Sequence, residues 1–123
     1  TSWDEAIAEA RLLRRFHHPN ILRCHEWFEE DSAAADGSKK LWIVLDYFDG
    51  GDLTGLYKSR RRSLAAPPDA PFLRHLMASV GGALDYVHSA GVLHRDVKCA
   101  NILASRDLRK LVLADFGLAC RAE

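Results

Sequence analysis

The sequence has no excess of charge of either sign: 17 lysines and arginines face 17 aspartates and glutamates, for a formal net charge of zero. Nucleic acids and anionic membrane surfaces are held through a basic excess or a basic face, so neither is an expected partner. No apolar run approaches the roughly 18 residues that a spanning helix needs, and no stretch has the form of a secretory signal. No membrane insertion is expected. Cysteine is scarce and odd in number, at positions 24, 99 and 120, with no CxxC pair. A disulfide framework and a zinc module are therefore not expected, and the setting expected is intracellular, cytoplasmic and reducing. Internal repeats and low-complexity tracts are lacking too. So is an initiating methionine: the chain starts at Thr1 and stops at Glu123 soon after a dense motif, and its length reads as that of a piece. What remains is an ordinary globular composition, 48% apolar and 28% charged, over 123 residues. That suffices for at most one domain.

Ser2 and Glu5 have the spacing of a capping box, predicting a helix from about Trp3 to Phe16. Trp3, Ala6, Ala10 and Leu13 fall on one stripe, Arg11, Arg14 and Arg15 suit the C-terminal dipole, and Pro19 forbids continuation. Ile21 to Phe28 reads as a strand. Leu41 to Leu45 (LWIVL) is an apolar run of the kind found in buried strands. The polar stretch between them makes the pair a hairpin with a long loop. Asp49, Gly50, Gly51 and Asp52 interrupt the pattern as a hinge-like connection, and Leu53 to Tyr57 allow one or two helical turns. Lys58 to Pro71, with a basic run and three prolines, reads as a loop. Asp69 and Pro71 open the clearest helix, with Leu73, Leu76, Met77, Val80, Leu84 and Val87 as its core-facing stripe. Gly81 and Gly82 cost it about 1 kcal/mol each relative to alanine, and Gly91 falls where a C-terminal cap belongs. Ile102 to Ala104 and Leu111 to Ala114 read as a second hairpin. Helices and strands follow one another in an α+β order.

The chemistry is concentrated in HRDVKCANIL, His94 to Leu103, and in Asp115-Phe116-Gly117. Singly, Asp96 is a turn carboxylate, Lys98 a solvated charge, Asn101 a loop cap and Asp115 a strand-end turn former. Together they change meaning, because Asp96, Lys98 and Asn101 lie within six residues in a loop leaving a helix and Asp115 ends a hairpin able to fold over them. Phosphoryl transfer requires such a set: a carboxylate to orient the attacking hydroxyl, a cation for the transferred group, and oxygen ligands for magnesium. A metal site of His94, Asp96 and Cys99 has no fourth ligand in register, whereas zinc takes four. Arg60-Arg61-Arg62-Ser63 has the form of a basophilic phosphorylation target, although a solvated loop explains it better.

His94-Arg95-Asp96 and Asp115-Phe116-Gly117, with Asn101 at the matching offset, resemble the catalytic-loop and magnesium-loop motifs of the eukaryotic protein kinases. The resemblance covers about Trp3 to Arg121 and implies a partial protein-kinase-like fold. Residues 1–45 would be the remnant of an N-terminal lobe, 46–52 the hinge and 53–123 the start of a C-terminal lobe. It implies that Asp96 is the catalytic base or orienting group, that Asn101 and Asp115 bind magnesium, and that Lys98 steadies the γ-phosphate of ATP. A lysine at that position tilts the acceptor toward a protein Ser or Thr. Glu9 resembles the helix glutamate that pairs with a strand lysine. Leu45 falls at the gatekeeper, the Asp46 carbonyl and Phe48 backbone face adenine, Asp52 lies near the ribose, and Leu103 floors the adenine pocket. Leu13, Cys24, His94 and Phe116 match the regulatory spine, and Arg95 the partner of a phosphorylated activation loop. Cys99 stands where proline is common. HHPNI, DYFDGGDL and the long helix running into GVLHRDVKCANIL are most similar to the NIMA-related group, with Ste20-like and calmodulin-dependent-like kinases as close rivals. The glycine-rich loop, the strand lysine and the activation segment are missing from these 123 residues, so the piece alone is expected to be inactive, with exposed apolar faces. The reading of another class is a pseudokinase or truncated kinase-like module that binds or scaffolds; no retained motif residue is degenerate.

Overall fold

A computed structural model describes residues 2–62 and 68–122; Ser63 lies outside them. Helix α1 (Trp3–Arg15) begins as its capping box dictates, with Ser2 Oγ accepting from the Glu5 amide at 3.1 Å and Glu5 Oε2 from the Ser2 amide at 3.3 Å. Phe16, expected as the last helical residue, is instead its extended cap. Ala10 and Leu13 are buried on the expected stripe, whereas Trp3, in the first turn, is exposed.

Strands β1 (Cys24–Asp31) and β2 (Lys39–Leu45) form the expected antiparallel hairpin, which runs further at its tip than the apolar runs suggested and begins at Cys24 rather than Ile21, because Ile21 bridges Leu113 instead. The burial expected of β2 does not hold: Trp42 is 47% and Val44 42% exposed. The cause is the two-residue period of a strand. Trp27 and Ile43 pair across the ribbon and pack on the core, where the Arg11 guanidinium lies 5.7 Å from the Trp27 ring centre. Phe28, Trp42 and Val44 necessarily point the other way, and Phe28 and Trp42 stack on each other in solvent at 6.2 Å.

Helix α2 (Leu53–Arg62) is longer than expected and absorbs the basic run that had read as loop. Asp52 starts it, its Oδ1 accepting from the Gly55 amide at 2.9 Å. Lysine and arginine are good helix formers once a start exists. Helix α3 (Ala70–Ser89) opens on Asp69, whose carboxylate accepts from the Phe72 amide at 2.9 Å. It closes at Gly91, where φ of +77° fits glycine and the amide reaches His88 O at 2.9 Å. Its buried face matches the expected stripe only in part. Val87 is buried as expected, but Leu73 and Met77 are 46% and 74% exposed, and Ser79 and Ala83, which lie off that stripe, are buried. These mostly small side chains let α3 sit against the strands below it, with Leu76, Val80 and Leu84 packed at the margin.

Strands β3 (Val92–Leu93), β4 (Ile102–Ala104), β5 (Leu111–Leu113) and β6 (Cys120–Arg121) follow; β4 pairs with β5 as expected, and β3 with β6. The chain before β1 docks on β5. Ile21 bridges Leu113 in parallel, the Leu113 amide donates to Asn20 O at 2.8 Å, and Asn20 Nδ2 donates to Leu111 O at 3.0 Å. Around this junction lies the core, with Phe16, Ile21, Cys24, Val87, Leu113 and Phe116 buried together.

Candidate functional site

The loop between β3 and the short 3-10 turn Cys99–Asn101 carries Asp96 and Lys98. It is anchored by His94, 1% exposed, whose Nδ1 accepts from the Asp96 amide at 3.1 Å while Nε2 donates to Ala114 O at 2.9 Å. One acceptor and one donor define the neutral Nε2–H tautomer and hold the ring rigidly. Arg95 adopts φ of +69°, a region that non-glycine residues seldom occupy, and its Nε donates to Leu118 O at 2.7 Å.

On this anchor three polar side chains converge. Asn101, 6% exposed, donates from Nδ2 to the Asp96 carbonyl at 2.8 Å and to Asp96 Oδ2 at 2.9 Å. Lys98 Nζ stands 3.6 Å from Asp96 Oδ1. Asp96 therefore has one oxygen held by the amide and the other facing an exposed cation. Because the amide nitrogen of Asn101 is committed to Asp96, its Oδ1 is left to accept or to ligate. The Asn101 carbonyl also takes the Ala114 amide at 2.8 Å, which ties the loop to the segment bearing Asp115. Asp115 itself is exposed, has φ of +56°, and accepts from the Gly117 amide at 3.2 Å. An amide oxygen and a carboxylate are hard donors of the kind magnesium takes, so the residues present fit that ion. Among the described residues no group of three or more His, Cys, Asp or Glu side chains is arranged around a metal position.

Glu9 enters from α1. A Cβ placed on Gly117 would sit 3.1 Å from Asp115 Oδ1 and 3.4 Å from Glu9 Oε2, so the two carboxylates meet across that glycine. Burial first, and the Asp115 charge second, push the Glu9 carboxyl above its ordinary value. Glu9 also lines a cleft of about 880 Å³ bounded by α1, Gly91 and Cys120. Asp96, Lys98, Asn101 and Asp115 do not line it, so volume alone points away from the polar cluster.

The 46–52 segment approaches from the other side. Leu45 is exposed; the Asp46 amide donates to Arg23 O at 3.1 Å, and its carboxylate meets His25 at 2.6 Å. Phe48 and Leu103 pack together with Leu22, Val112 and Ala114. Asp52 bridges Leu103 through its backbone and spends its carboxylate on the α2 start, a structural use that had no sequence signal beyond its place before the helix. Leu13, Cys24 and Phe116 share the core, with the Phe116 ring 4.7 Å from His94 and 5.4 Å from Phe16. Cys99 is exposed beside the loop.

A carboxylate, an amide and a lysine are thus gathered on a buried histidine, and the bond from the Ala114 amide to Asn101 ties them to the segment bearing a second carboxylate, on an α+β scaffold of the protein-kinase kind. Residues 1–123 match the family model described as protein kinase domain, and the chain belongs to that family. It is 37% identical over 111 residues to the serine/threonine-protein kinase cds1 of Schizosaccharomyces pombe, covering 90% of this chain and 21% of that protein. It is 38% identical over 114 residues to the serine/threonine-protein kinase PknI of Mycobacterium bovis, covering 90% of this chain and 18% of the relative. Among solved structures, the yeast RNA Pol II CTD kinase CTDK-1 complex contains a chain that superposes with a TM-score of 0.76 at 28% identity. That match covers 98% of this chain and 36% of the other. The chain thus spans about a fifth of the length of these two curated relatives.

Proposed function

We propose that the protein to which this chain belongs is a protein kinase that transfers the γ-phosphate of ATP to a Ser or Thr hydroxyl of a protein substrate. The observation that carries this reading is the placement of Asn101 and Lys98 on opposite oxygens of Asp96, at 2.9 and 3.6 Å. Asp96 is the group that orients the acceptor hydroxyl and takes its proton. Lys98, 58% exposed, is free to swing from Asp96 to an incoming phosphate. Asn101 Oδ1 and the Asp115 carboxylate would hold magnesium, which when bound neutralises charge on the phosphates.

In the same reading residues 46–52 are the hinge between a remnant of the N-terminal lobe, 1–45, and the start of the C-terminal lobe, 53–123. Leu45, the Asp46 carbonyl, the Phe48 backbone and Leu103 meet adenine, Asp52 lies near the ribose, and Glu9 awaits a lysine. Protein partners with a Ser or Thr acceptor are suggested by the names of the relatives, and a NIMA-related subgroup by HHPNI, DYFDGGDL and the helix running into GVLHRDVKCANIL. Three free cysteines favour an intracellular, cytoplasmic setting. In the full-length protein, Asp96→Asn keeps an oxygen acceptor for Asn101 but removes the base. The expected result is a fall in kcat of about 10²–10⁴-fold with ATP affinity retained. Unchanged turnover sinks the assignment.

A further inference from the structure

Asp49 and Gly50 are bound to a strand far away in sequence, and the contact leaves no space for a side chain. The Gly50 amide donates to Ala104 O at 3.0 Å, and the Ala104 amide donates back to Gly51 O at 2.9 Å. The Arg106 amide donates to Asp49 Oδ1 at 2.8 Å, and Asp52 bridges Leu103. Residues 49–52 are thereby laced to β4 and to the turn that follows it. Gly51 needs glycine for its own backbone, at φ of +68°. Gly50 does not, since its backbone is outside the left-handed region. A Cβ on Gly50 would lie 2.5 Å from the Ala104 carbonyl oxygen and 3.0 Å from Ser105 backbone atoms. Real Cβ atoms do not approach backbone so closely, and backbone cannot swing aside as a flexible side chain does. Any substitution must lift the 46–52 segment off β4.

We propose that Asp49 and Gly50 are positioning residues for the nucleotide, setting the spacing between the Asp46–Phe48 backbone and the Leu103 floor. The proposal rests on the reading of these residues as an adenine site. Neither residue touches the reacting atoms, so displacement weakens the hold on the base end of the nucleotide and leaves unaltered the phosphate transfer to the acceptor hydroxyl that Asp96 orients. ATP and ADP share that end and should lose affinity equally. In the full-length protein, Gly50→Ala is expected to raise KM for ATP and Kd for ADP by a common factor of about ten, with kcat little changed. Asp49→Ala gives a smaller rise, and Asp49→Asn, which keeps the oxygen acceptor, recovers most of it. Unchanged KM and Kd in Gly50→Ala overturn the proposal, as does a loss confined to kcat. If Gly50→Ala fails to fold, the Asp49 pair decides, and equal constants in Asp49→Ala and the parent overturn it. Parent protein that binds neither nucleotide refutes the adenine reading itself, a result distinct from a silent Gly50→Ala in a parent that binds both.

Discussion

Glu9 shows how one side chain can work against the fold while serving the site. Its carboxyl is pushed up by burial and then by Asp115, so the folded chain holds the Glu9 proton more tightly than the unfolded one does. Stability from this group is fully present below the unfolded value, about 4.3 for glutamate, and is lost as pH rises through the raised folded value. Glu9→Gln deletes the charge. The melting temperature of this variant is expected to exceed that of the parent at pH 7, with the gap closing as pH falls toward about 4. A gap that widens on acidification contradicts the account. In the proposed function the same change removes the carboxylate that pairs with a lysine, so the variant is expected to lose activity as it gains stability. Ser2 is simpler. Ser2→Ala removes the acceptor for the Glu5 amide and is expected to cost about 1 kcal/mol in urea unfolding.

At the scale of elements, α3 separates what patterning reveals from what it hides. Ala83, fully buried, stands where the helix approaches its neighbours, and Ala83→Leu should cost about 1–3 kcal/mol through overpacking. Met77, 74% exposed, should tolerate Met77→Ala within about 0.5 kcal/mol. Denaturant midpoints of the two variants decide between this face and the one the apolar periodicity suggested. Periodicity placed the helix ends well, because Asp69, Pro71 and Gly91 act within a turn of themselves. It missed Ser79 and Ala83 because they carry little apolar signal, although their smallness is what packing required. β3 and β6, two residues each, offer no period at all. The polar cluster was legible because Asp96, Lys98 and Asn101 are close along the chain and their types are chemically restrictive. The meeting of Glu9 with Asp115, the cap role of Asp52 and the bond from Arg106 to Asp49 were not, since each depends on the fold bringing distant or ambivalent residues together.

For the whole molecule, zero net charge and exposed apolar surface act in one direction. Phe28, Trp42 and Val44 lie on the outer face of the ribbon, and Tyr47 is 89% exposed beside them in sequence. With a sequence pI near 7.0, little long-range repulsion keeps copies of the 123-residue chain apart at neutral pH. Concentration-dependent association near pH 7 is expected in sedimentation velocity, and Phe28→Ser with Trp42→Ser should reduce it. A parent chain that sediments as a monomer at all concentrations refutes this. The docking of residues 20–22 on β5 also has a temporal meaning. Asn20 and its partner Leu111 are separated by 91 positions, and such non-local closure is slow because loop entropy is lost before contacts compensate. On a ribosome, the segment that joins α1 to β1 has no β5 edge to settle on until nearly the last of these residues has been made. Residues 20–22 must wait for residues 111–113.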